Sequence, residues 1–333
     1  MRKHYTLLGT SFLVIIVAVT GYYFITKTQR RPTETVTIGI TKEPLMALII
    51  IAGEKHFFSH EGLDVTLKYY RGGRFALEGM VANEVDLSVP AETPIIFASF
   101  ERQDFSIIAT IGSSDNELKL IARADHGIRK PQDLRGKRIA TPPASPRFFL
   151  DLLLLKYGLS EEDVTFSVNR LHEELVSLLV NGDIDAFVTR EPFLSQAKAS
   201  LQDKAVIFTE PGLYLKTSPL VAFNNSIKDR PQTIKKILRA LLKAEEFIKR
   251  YSEQAIEIVS HSTRIPLSEV RHAWTELNLT VSLEQSLIIS LEDEARWAIK
   301  NKLTEKRGTP NYLNFIYPAA LEAIKPEAVT IIR

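Results

Sequence analysis

The feature that most limits how this chain can fold is an internal duplication with an offset of 99 residues. The run Asp64-Val65-Thr66-Leu67 has a similar counterpart 99 residues later, Asp163-Val164-Thr165-Phe166. Further acidic residues keep the same offset, namely Asp86 with Asp185 and Glu92 with Glu191. Several matches at one spacing predict two related lobes.

Strands and helices alternate in both copies. In the first copy we expect strands at 36–40, 64–70 and 85–89, with helices at 45–58 and 77–82. In the second copy we expect strands at 137–141, 163–168 and 184–188, with helices at 147–157 and 171–180. This alternation predicts an α/β fold in which each lobe has a mainly parallel sheet flanked by helices.

Two further strands are expected to connect the lobes, at 117–124 and 218–223, and two crossings define a hinge. Apolar residues at helical spacing after residue 230 predict C-terminal helices that pack mainly on the first lobe. The chain of 333 residues is long enough for two such domains. The predicted division is 32–120 for lobe 1, 121–217 for lobe 2, and 218–333 for the return to lobe 1.

The N-terminus carries an uncharged apolar run from Leu7 to Ile25, preceded by Arg2 and Lys3. Its length matches the thickness of a bilayer, and its bulky aromatic end is untypical of a signal-peptide cleavage site. We therefore expect residues 1–31 to form an uncleaved N-terminal transmembrane helix and linker. A removed signal peptide and a buried core helix are the alternatives.

Composition excludes several classes of function. The chain has no cysteine, so disulfides, thiolate catalysis and a lipid-carrying cysteine are excluded. The 42 basic and 40 acidic residues are dispersed, so no nucleic acid is expected as a partner. None of the seven histidines forms a metal-binding or catalytic pattern. His56 and His60 share one helix face but have no recurring carboxylate beside them, so no metal, no cofactor and no enzyme activity are predicted.

Candidate binding residues come from the loops that follow the strands, because open α/β sheets bind ligands beyond the carboxyl ends of their strands. The rule selects loops 41–45, 71–74, 90–93, 141–147 and 189–192. The candidates are Glu43, Leu45, Arg71, Gly72, Gly73, Arg74, Ala91, Glu92, Thr141, Ser145, Arg147, Thr189, Arg190 and Glu191.

Two of these loops favour an anion. Arg71 and Arg74 flank paired glycines that permit close backbone approach, and the arginines have the geometry to clamp an anionic group. In the loop 141–147 we expect Ser145 to cap a helix whose free N–H groups attract anions, with Arg147 adding a fixed charge. The alternatives are a flexible surface turn and an ordinary capped helix with Arg147 in solvent.

The acidic candidates leave the charge of the ligand open. Glu92 and Glu191 lie at equivalent strand ends, and Arg190 precedes Glu191. An ion pair or a lobe-to-lobe contact explains them without a ligand. Either carboxylate also suits an amine or amidine ligand, although an anion remains our first choice.

Four short motifs give the chain a family resemblance. They are Phe57–Val65, Asn83–Asp86 followed by Pro90, Lys130–Ala140, and Asn181–Phe187 followed by Glu191-Pro192-Phe193. In this order and spacing they resemble the periplasmic binding proteins of the nitrate, sulfonate and taurine class, which includes binders of thiamine pyrimidine precursors. One departure is Asn83, which stands where glycine is usual and where the second copy has Gly182.

The resemblance implies a two-lobed, type II-like binding protein whose candidate loops line one cleft. It implies the substrate-binding component of an ABC importer, with a membrane permease and its ATPase as partners. We expect a monomer outside the cytoplasm, in a periplasm or at a cell surface, tethered to the membrane. A pyrimidine-precursor binder, an accessory ligand-sensing protein and a pyrimidine-synthase-like enzyme are the alternatives.

Overall fold

The computed structural model describes residues 34–168 and 171–332. The predicted transmembrane segment at 1–31 lies outside these residues. Within the part of the chain that is described, none of the helices combines the length and the apolar character needed to cross a bilayer.

The strands and helices alternate as predicted. The strands are β1 Glu34–Thr41, β2 Leu63–Tyr70, β3 Leu87–Ser88, β4 Phe105–Ser114, β5 Lys119–Arg123, β6 Arg138–Thr141, β7 Thr165–Val168, β8 Ala186–Thr189, β9 Ala205–Phe208 and β10 Lys216–Phe223. The helices are α1 Ala47–Glu54, α2 Phe57–His60, α3 Gly73–Val81, α4 Glu92–Glu101, α5 Ser145–Lys156, α6 His172–Asn181, α7 Phe193–Leu201, α8 Asn224–Asp229, α9 Pro231–Arg250, α10 Ser252–Thr263, α11 Leu267–Trp274, α12 Gln285–Lys300 and α13 Ala319–Glu322.

The strands form two five-stranded sheets of equivalent order. The first sheet runs β2-β1-β3-β10-β4, and the second runs β7-β6-β8-β5-β9. β1 is parallel to β3, and β6 is parallel to β7 and β8. β10 and β5 occupy the same place in the two sheets, and each is antiparallel to both of its neighbours. In the first sheet β1, β3 and β4 therefore run in one direction and β10 is reversed, and in the second sheet β6, β7, β8 and β9 run in one direction and β5 is reversed. The prediction of mainly parallel sheets is confirmed.

The chain crosses between the sheets twice, between β4 and β5 and between β9 and β10. The strands expected at 117–124 and 218–223 are confirmed as β5 and β10. The prediction missed β4 and β9, which form the edge of each sheet beside the crossing strand. The predicted lobe boundaries at 32–120, 121–217 and 218–333 stay a prediction.

The C-terminal helices pack on the elements of the first sheet. α9 and α10 contact α1, and α12 contacts α4. Their apolar side chains join the same core cluster as β1 and β4. The second sheet has a separate core cluster on each face.

One predicted helix is broken in two. The helix expected at 45–58 is interrupted because His56 adopts a left-handed conformation with φ 59° between α1 and α2. Asn83, which stands where glycine is usual, takes the left-handed conformation with φ 57°, as Gly182 does with φ 82°.

The duplicated aspartates have equivalent roles. Asp86 Oδ2 accepts hydrogen bonds from the Thr37 backbone N–H at 2.8 Å and from its hydroxyl at 2.9 Å. Asp185 Oδ2 accepts one from the Arg138 backbone N–H at 2.7 Å. Each aspartate thus joins the third strand of its lobe to the first, which supports the duplication read from the sequence.

Candidate functional site

A cavity of about 300 Å³ lies between the two sheets, at the loops that follow the strands. Eight of the predicted residues line it: Glu43, Arg71, Gly72, Gly73, Arg74 and Ala91 from the side of the first sheet, and Ser145 and Arg190 from the side of the second. We call this cavity the cleft. Residues from both sheets form its wall, as the rule for open α/β sheets predicts.

Four helices begin at the wall of the cleft. Residues of the first turn or the cap of α3, α4, α5 and α6 line it, for example Gly73, Ala91, Ser145 and His172. The N-terminus of a helix carries partial positive charge and N–H groups without a partner inside the helix. Four such ends around one cavity favour an anionic ligand.

Gly73 allows one of these helices to reach the cleft wall. A Cβ atom at this position would lie 3.0 Å from Pro90 Cα and 3.1 Å from the Ala91 backbone nitrogen. Only glycine therefore fits between the start of α3 and the loop after β3 without a shift of the backbone. Gly72 has extended backbone with φ −170°, so its conformation is open to any residue.

A network of four charged side chains forms one side of the cleft. Glu43 Oε2 lies 3.0 Å from Arg190 Nη1 and 3.5 Å from Lys216 Nζ. Lys216 Nζ in turn lies 2.5 Å from Glu117 Oε2. Two cations and two carboxylates are thus held together where the chain crosses between the sheets.

The network fixes the charge of Glu43. Burial opposes ionisation of this carboxyl, but Arg190 and Lys216 outweigh burial and hold its pKa at about 2. Burial raises the pKa of Glu117, although Lys216 opposes the rise. Glu43 is therefore ionised at neutral pH and forms an ion pair with Arg190.

Arg71 supplies a charge that forms no ion pair with the described residues. It is exposed at the cleft. Arg74 also lines the cleft, but its Nε donates to Glu78 Oε1 at 2.8 Å in an exposed pair. Arg71 is thus the side chain most available to a ligand.

His172 contributes a neutral ring at the start of α6. Its Nδ1 lies 3.1 Å from Thr189 Oγ1, and its ring stacks on Phe193 with 4.9 Å between centroids. Burial lowers its pKa well below the usual value, and Arg190 and Lys216 add to the effect. His172 therefore offers hydrogen bonds to a ligand without adding charge at neutral pH.

Glu92 was predicted to face the cleft, but its side chain lies inside the protein. It is fully buried, accepts a hydrogen bond from Tyr214 Oη at 3.0 Å, and also accepts one from the Thr217 backbone N–H. Burial raises its pKa to about 7. The nearby Glu294 is fully buried as well, and burial together with Glu92 raises its pKa well above the usual value.

Two predictions about the start of α5 were wrong. Ser145 does not cap the helix, because Ala144 occupies the capping position. The Ser145 hydroxyl instead lies 3.0 Å from Thr93 Oγ1 and joins α5 to α4. Arg147 points away from the cleft, where it pairs with Asp151 at 3.0 Å and Glu161 at 2.6 Å.

Four other candidates also have structural contacts away from the cleft lining. Leu45 is buried in the core of the first sheet, and the Thr141 hydroxyl donates to the Pro142 carbonyl at 2.9 Å. Thr189 is fully buried behind His172, and Glu191 Oε2 accepts from the Ser195 backbone N–H at 3.1 Å. Their side chains position the loops that form the cleft.

The prediction missed Lys216, Glu117 and His172. Glu117 lies in the predicted strand 117–124 and Lys216 begins β10, so neither belongs to the loops that the strand-end rule selected. His172 is the first residue of α6, the helix that follows β7, and the 99-residue offset pairs it with Gly73, the first residue of α3. Applying the strand-end rule to the loop after β7 as well would have selected it.

Metal binding has no support among the described residues, which contain no group of three or more metal-ligating side chains. His56 lies in the break between α1 and α2, and His60 lies at the end of α2.

The two sheets, the paired crossings and the cleft define a two-lobed α/β solute-binding protein. The chain belongs to the NMT1/THI5-like family, which matches residues 43–255. This confirms the class that the sequence motifs indicated.

Individual proteins show the same likeness. A provisionally named aliphatic sulfonates-binding protein of Bacillus subtilis is 26% identical over 282 residues, covering 82% of this chain and 83% of the relative. A provisionally named binding protein of Brucella abortus is 22% identical over 223 residues, covering 66% and 68%. The alkanesulfonate-binding protein SsuA of Xanthomonas axonopodis pv. citri, solved with MOPS bound, superposes with a TM-score of 0.75 at 18% identity, covering 86% of this chain and 99% of that structure.

Proposed function

We propose that this protein is the extracytoplasmic substrate-binding component of an ABC importer and that it captures a small organosulfonate. One observation carries the proposal. Arg71, which forms no ion pair with the described residues, lines the same cavity as Arg190 and Lys216, and four helix N-termini surround that cavity. The carboxylates Glu43 and Glu117 balance the two buried cations, so the positive charge offered to a ligand comes from Arg71 and the helix ends, with the exposed carboxylate of Glu173 on the same wall.

The form of the site suits a sulfonate. A sulfonate spreads one charge over three oxygens and accepts hydrogen bonds from several directions, as a ring of helix ends and arginines would supply. The cleft of about 300 Å³ has room for an organic group besides the anionic head. The names of the Bacillus subtilis and Xanthomonas relatives, which refer to aliphatic sulfonates and alkanesulfonates, support this ligand class.

Capture works by closure of the lobes on the ligand. Contacts already join the two sides, through Glu43 with Arg190 at 3.0 Å and Thr93 with Ser145 at 3.0 Å. A ligand that touches loops of both sheets favours the closed arrangement, because it gains contacts there that the open one lacks. The role is binding without chemistry.

The closed form then docks on a membrane permease that an ATPase drives. The apolar run Leu7–Ile25 would serve as a tether that raises the local concentration of the binder. Deleting residues 1–31 should leave ligand binding intact and lower uptake in cells at native expression. Unchanged uptake would remove the tether from the proposal.

The function is tested by thermal unfolding of the full-length chain in mild detergent against methanesulfonate, taurine, nitrate, bicarbonate and a hydroxymethylpyrimidine. A ligand at 100 times its Kd should raise the free energy of unfolding by about 2.7 kcal/mol. We expect methanesulfonate to shift the midpoint. A shift with nitrate or pyrimidine but not with sulfonates would overturn the ligand class while leaving the binding role.

A further inference from the structure

Two buried carboxyl groups lie where the lobes touch, and neither lines the cleft. Glu92 begins α4 on the side of the first sheet, and Glu294 lies on α12, which packs against α4. Both residues have 0% exposure, and neither makes an ion pair with the described residues. We call Glu92 and Glu294 the carboxyl pair.

The second lobe covers the carboxyl pair through Tyr214 and Ser145. Tyr214 belongs to an apolar core of the second sheet, and its hydroxyl donates to Glu92 Oε2 at 3.0 Å. Ser145 begins α5, and its hydroxyl lies 3.0 Å from Thr93 Oγ1. Thr93 in turn donates to Glu294 Oε2 at 2.6 Å. Separation of the lobes would therefore break both links and admit water to the carboxyl pair.

The hydrogen bonds at the carboxyl pair are too few to support two negative charges. Glu92 accepts from the Tyr214 hydroxyl and from the Thr217 backbone N–H. Glu294 Oε1 is buried and has no hydrogen-bond partner. A buried carboxylate without a cation is strongly unfavourable, and two neighbouring carboxylates also repel each other. Carboxyl groups in such a place hold their protons and stay neutral.

Four cations on the neighbouring elements have carboxylate partners outside the carboxyl pair. They are Lys216 of β10 with Glu117, Arg147 of α5 with Asp151, Arg296 of α12 with Asp293, and Arg74 of α3 with Glu78. Tyr214 and Tyr312 also interact with the pair, and burial raises the pKa of both hydroxyls. Burial likewise raises the pKa of Glu92 to about 7. Burial and the neighbouring Glu92 together raise the pKa of Glu294 well above its usual value.

We propose that the carboxyl pair couples closure of the lobes to the uptake of protons, so that binding of an anion in the cleft takes up protons from solution. This inference rests on the proposed function, because it requires two lobes that close on a ligand. In the closed form both carboxyl groups are neutral, whereas in the open form water allows them to ionise as ordinary carboxyl groups do. Closure is therefore favoured at low pH and becomes less favourable as the pH rises.

Counting protons during ligand binding tests the coupling. Methanesulfonate is the probe, because it is fully ionised near neutral pH and neither brings nor takes a proton. Full-length protein in mild detergent is titrated in unbuffered sodium chloride solution, and a pH-stat records the acid needed to hold the pH at 6. We expect an uptake of about one to two protons for each ligand bound. The Kd of methanesulfonate should also rise at least tenfold from pH 6 to pH 8.

The double variant Glu92→Gln/Glu294→Gln replaces both carboxyl groups by neutral groups of similar shape. It should take up almost no protons, and its Kd should stay from pH 6 to pH 8 near the value that the parent protein has at pH 6. The matched control is Glu101→Gln/Glu246→Gln, which changes two exposed carboxylates, the first of them on the same helix as Glu92. The control should keep the full uptake. If the double variant does not fold, each single variant should still lose about half of the uptake.

The outcomes separate this inference from the proposed function. If methanesulfonate binds with the same Kd at pH 6 and pH 8 and takes up no protons, the coupling is absent and only this inference fails. It fails in the same way if the variants of Glu92 and Glu294 keep the full uptake. If nitrate binds and methanesulfonate does not, the proposed ligand class fails. The same proton count with nitrate, which is also fully ionised, then decides whether the coupling exists.

Discussion

Glu43 and Arg190 join the two sheets through an ion pair with 3.0 Å between Oε2 and Nη1. Glu43 follows β1 of the first sheet, and Arg190 follows β8 of the second. Both side chains are buried, and Lys216 lies 3.5 Å from the same Glu43 oxygen. The pair thus limits the positive charge of the cleft and also holds the two lobes together.

The first prediction concerns this balance. Glu43→Gln should tighten methanesulfonate binding by about tenfold, because it removes a negative charge beside the proposed anion site. It should also lower the free energy of unfolding by about 3 kcal/mol, since one partner of a buried pair is lost. Calorimetric titration and urea unfolding measure the two effects.

The control is Glu78→Gln, which removes the partner of Arg74 from an exposed pair. Its effect on unfolding should stay below about 1 kcal/mol. Weaker anion binding by Glu43→Gln would show that Glu43 mainly positions Arg190 for the ligand.

The second prediction concerns Arg71. Arg71→Ala should weaken methanesulfonate binding at least tenfold, in keeping with about 1.5–3 kcal/mol for a hydrogen bond to a charged group. The unfolding midpoint of the ligand-free protein should not change, because Arg71 is exposed and makes no ion pair with the described residues. Arg307→Ala is the matched control, since Arg307 is also exposed and is not a cleft residue. Equal affinities for both variants would remove Arg71 from the site.

The third prediction is a pH dependence. Burial raises the pKa of Glu92 to about 7, whereas the same carboxyl in the unfolded chain has its ordinary value of 4.5. Between pH 4.5 and 7 the folded state therefore holds a proton that the unfolded state has released. This stabilisation is complete below pH 4.5 and is lost as the pH rises through 7, by about 3 kcal/mol in total.

Glu92→Gln should remove that part of the dependence. His172 acts in the opposite sense, because its lowered pKa reduces stability as the pH falls below 6.5. The quantity to measure is consequently the difference in unfolding free energy between Glu92→Gln and the parent protein at pH 5 and at pH 7.5. Glu246→Gln, an exposed carboxylate, is the control. A difference that does not change with pH would contradict the raised pKa.

Much of the fold could be predicted because the patterns that indicate strands and helices are local in sequence and occur in both copies of the duplication. Asp86 and Asp185 each accept a hydrogen bond from the backbone of the first strand of their lobe. Because the two aspartates have the same structural role, the same residue type stands at both positions. The missed strands show the limit of local signals. β4 and β9 lie at the sheet edges beside the crossing strands, outside the duplicated strand–helix pattern on which the prediction depended.

The site was harder to predict because a loop does not reveal which of its side chains face a cavity. Ala91 and Pro94 line the cleft, whereas Glu92 lies about 100° further around the start of α4 and points into the protein. Lys216 belongs to the site only because β10 returns beside the first crossing, where Glu117 lies. That neighbourhood is a property of the tertiary fold.

The last prediction uses the two adjacent glycines of the loop after β2. Gly73→Ala would place a Cβ atom 3.0 Å from Pro90 Cα, in contact with backbone that has little freedom to yield. Gly72→Ala would bring its Cβ only to 3.6 Å from Phe75 Cδ2, which is an ordinary contact. The two variants make the same chemical change one residue apart.

Gly73→Ala should therefore lower the free energy of unfolding by about 1–3 kcal/mol, as overpacked substitutions do. It should also weaken methanesulfonate binding, because the start of α3 must move away from the loop that carries Ala91. Gly72→Ala should change both quantities by much less. Urea unfolding and calorimetric titration of the two proteins decide the matter, and equal effects would show that the close approach at Gly73 does not position the cleft wall.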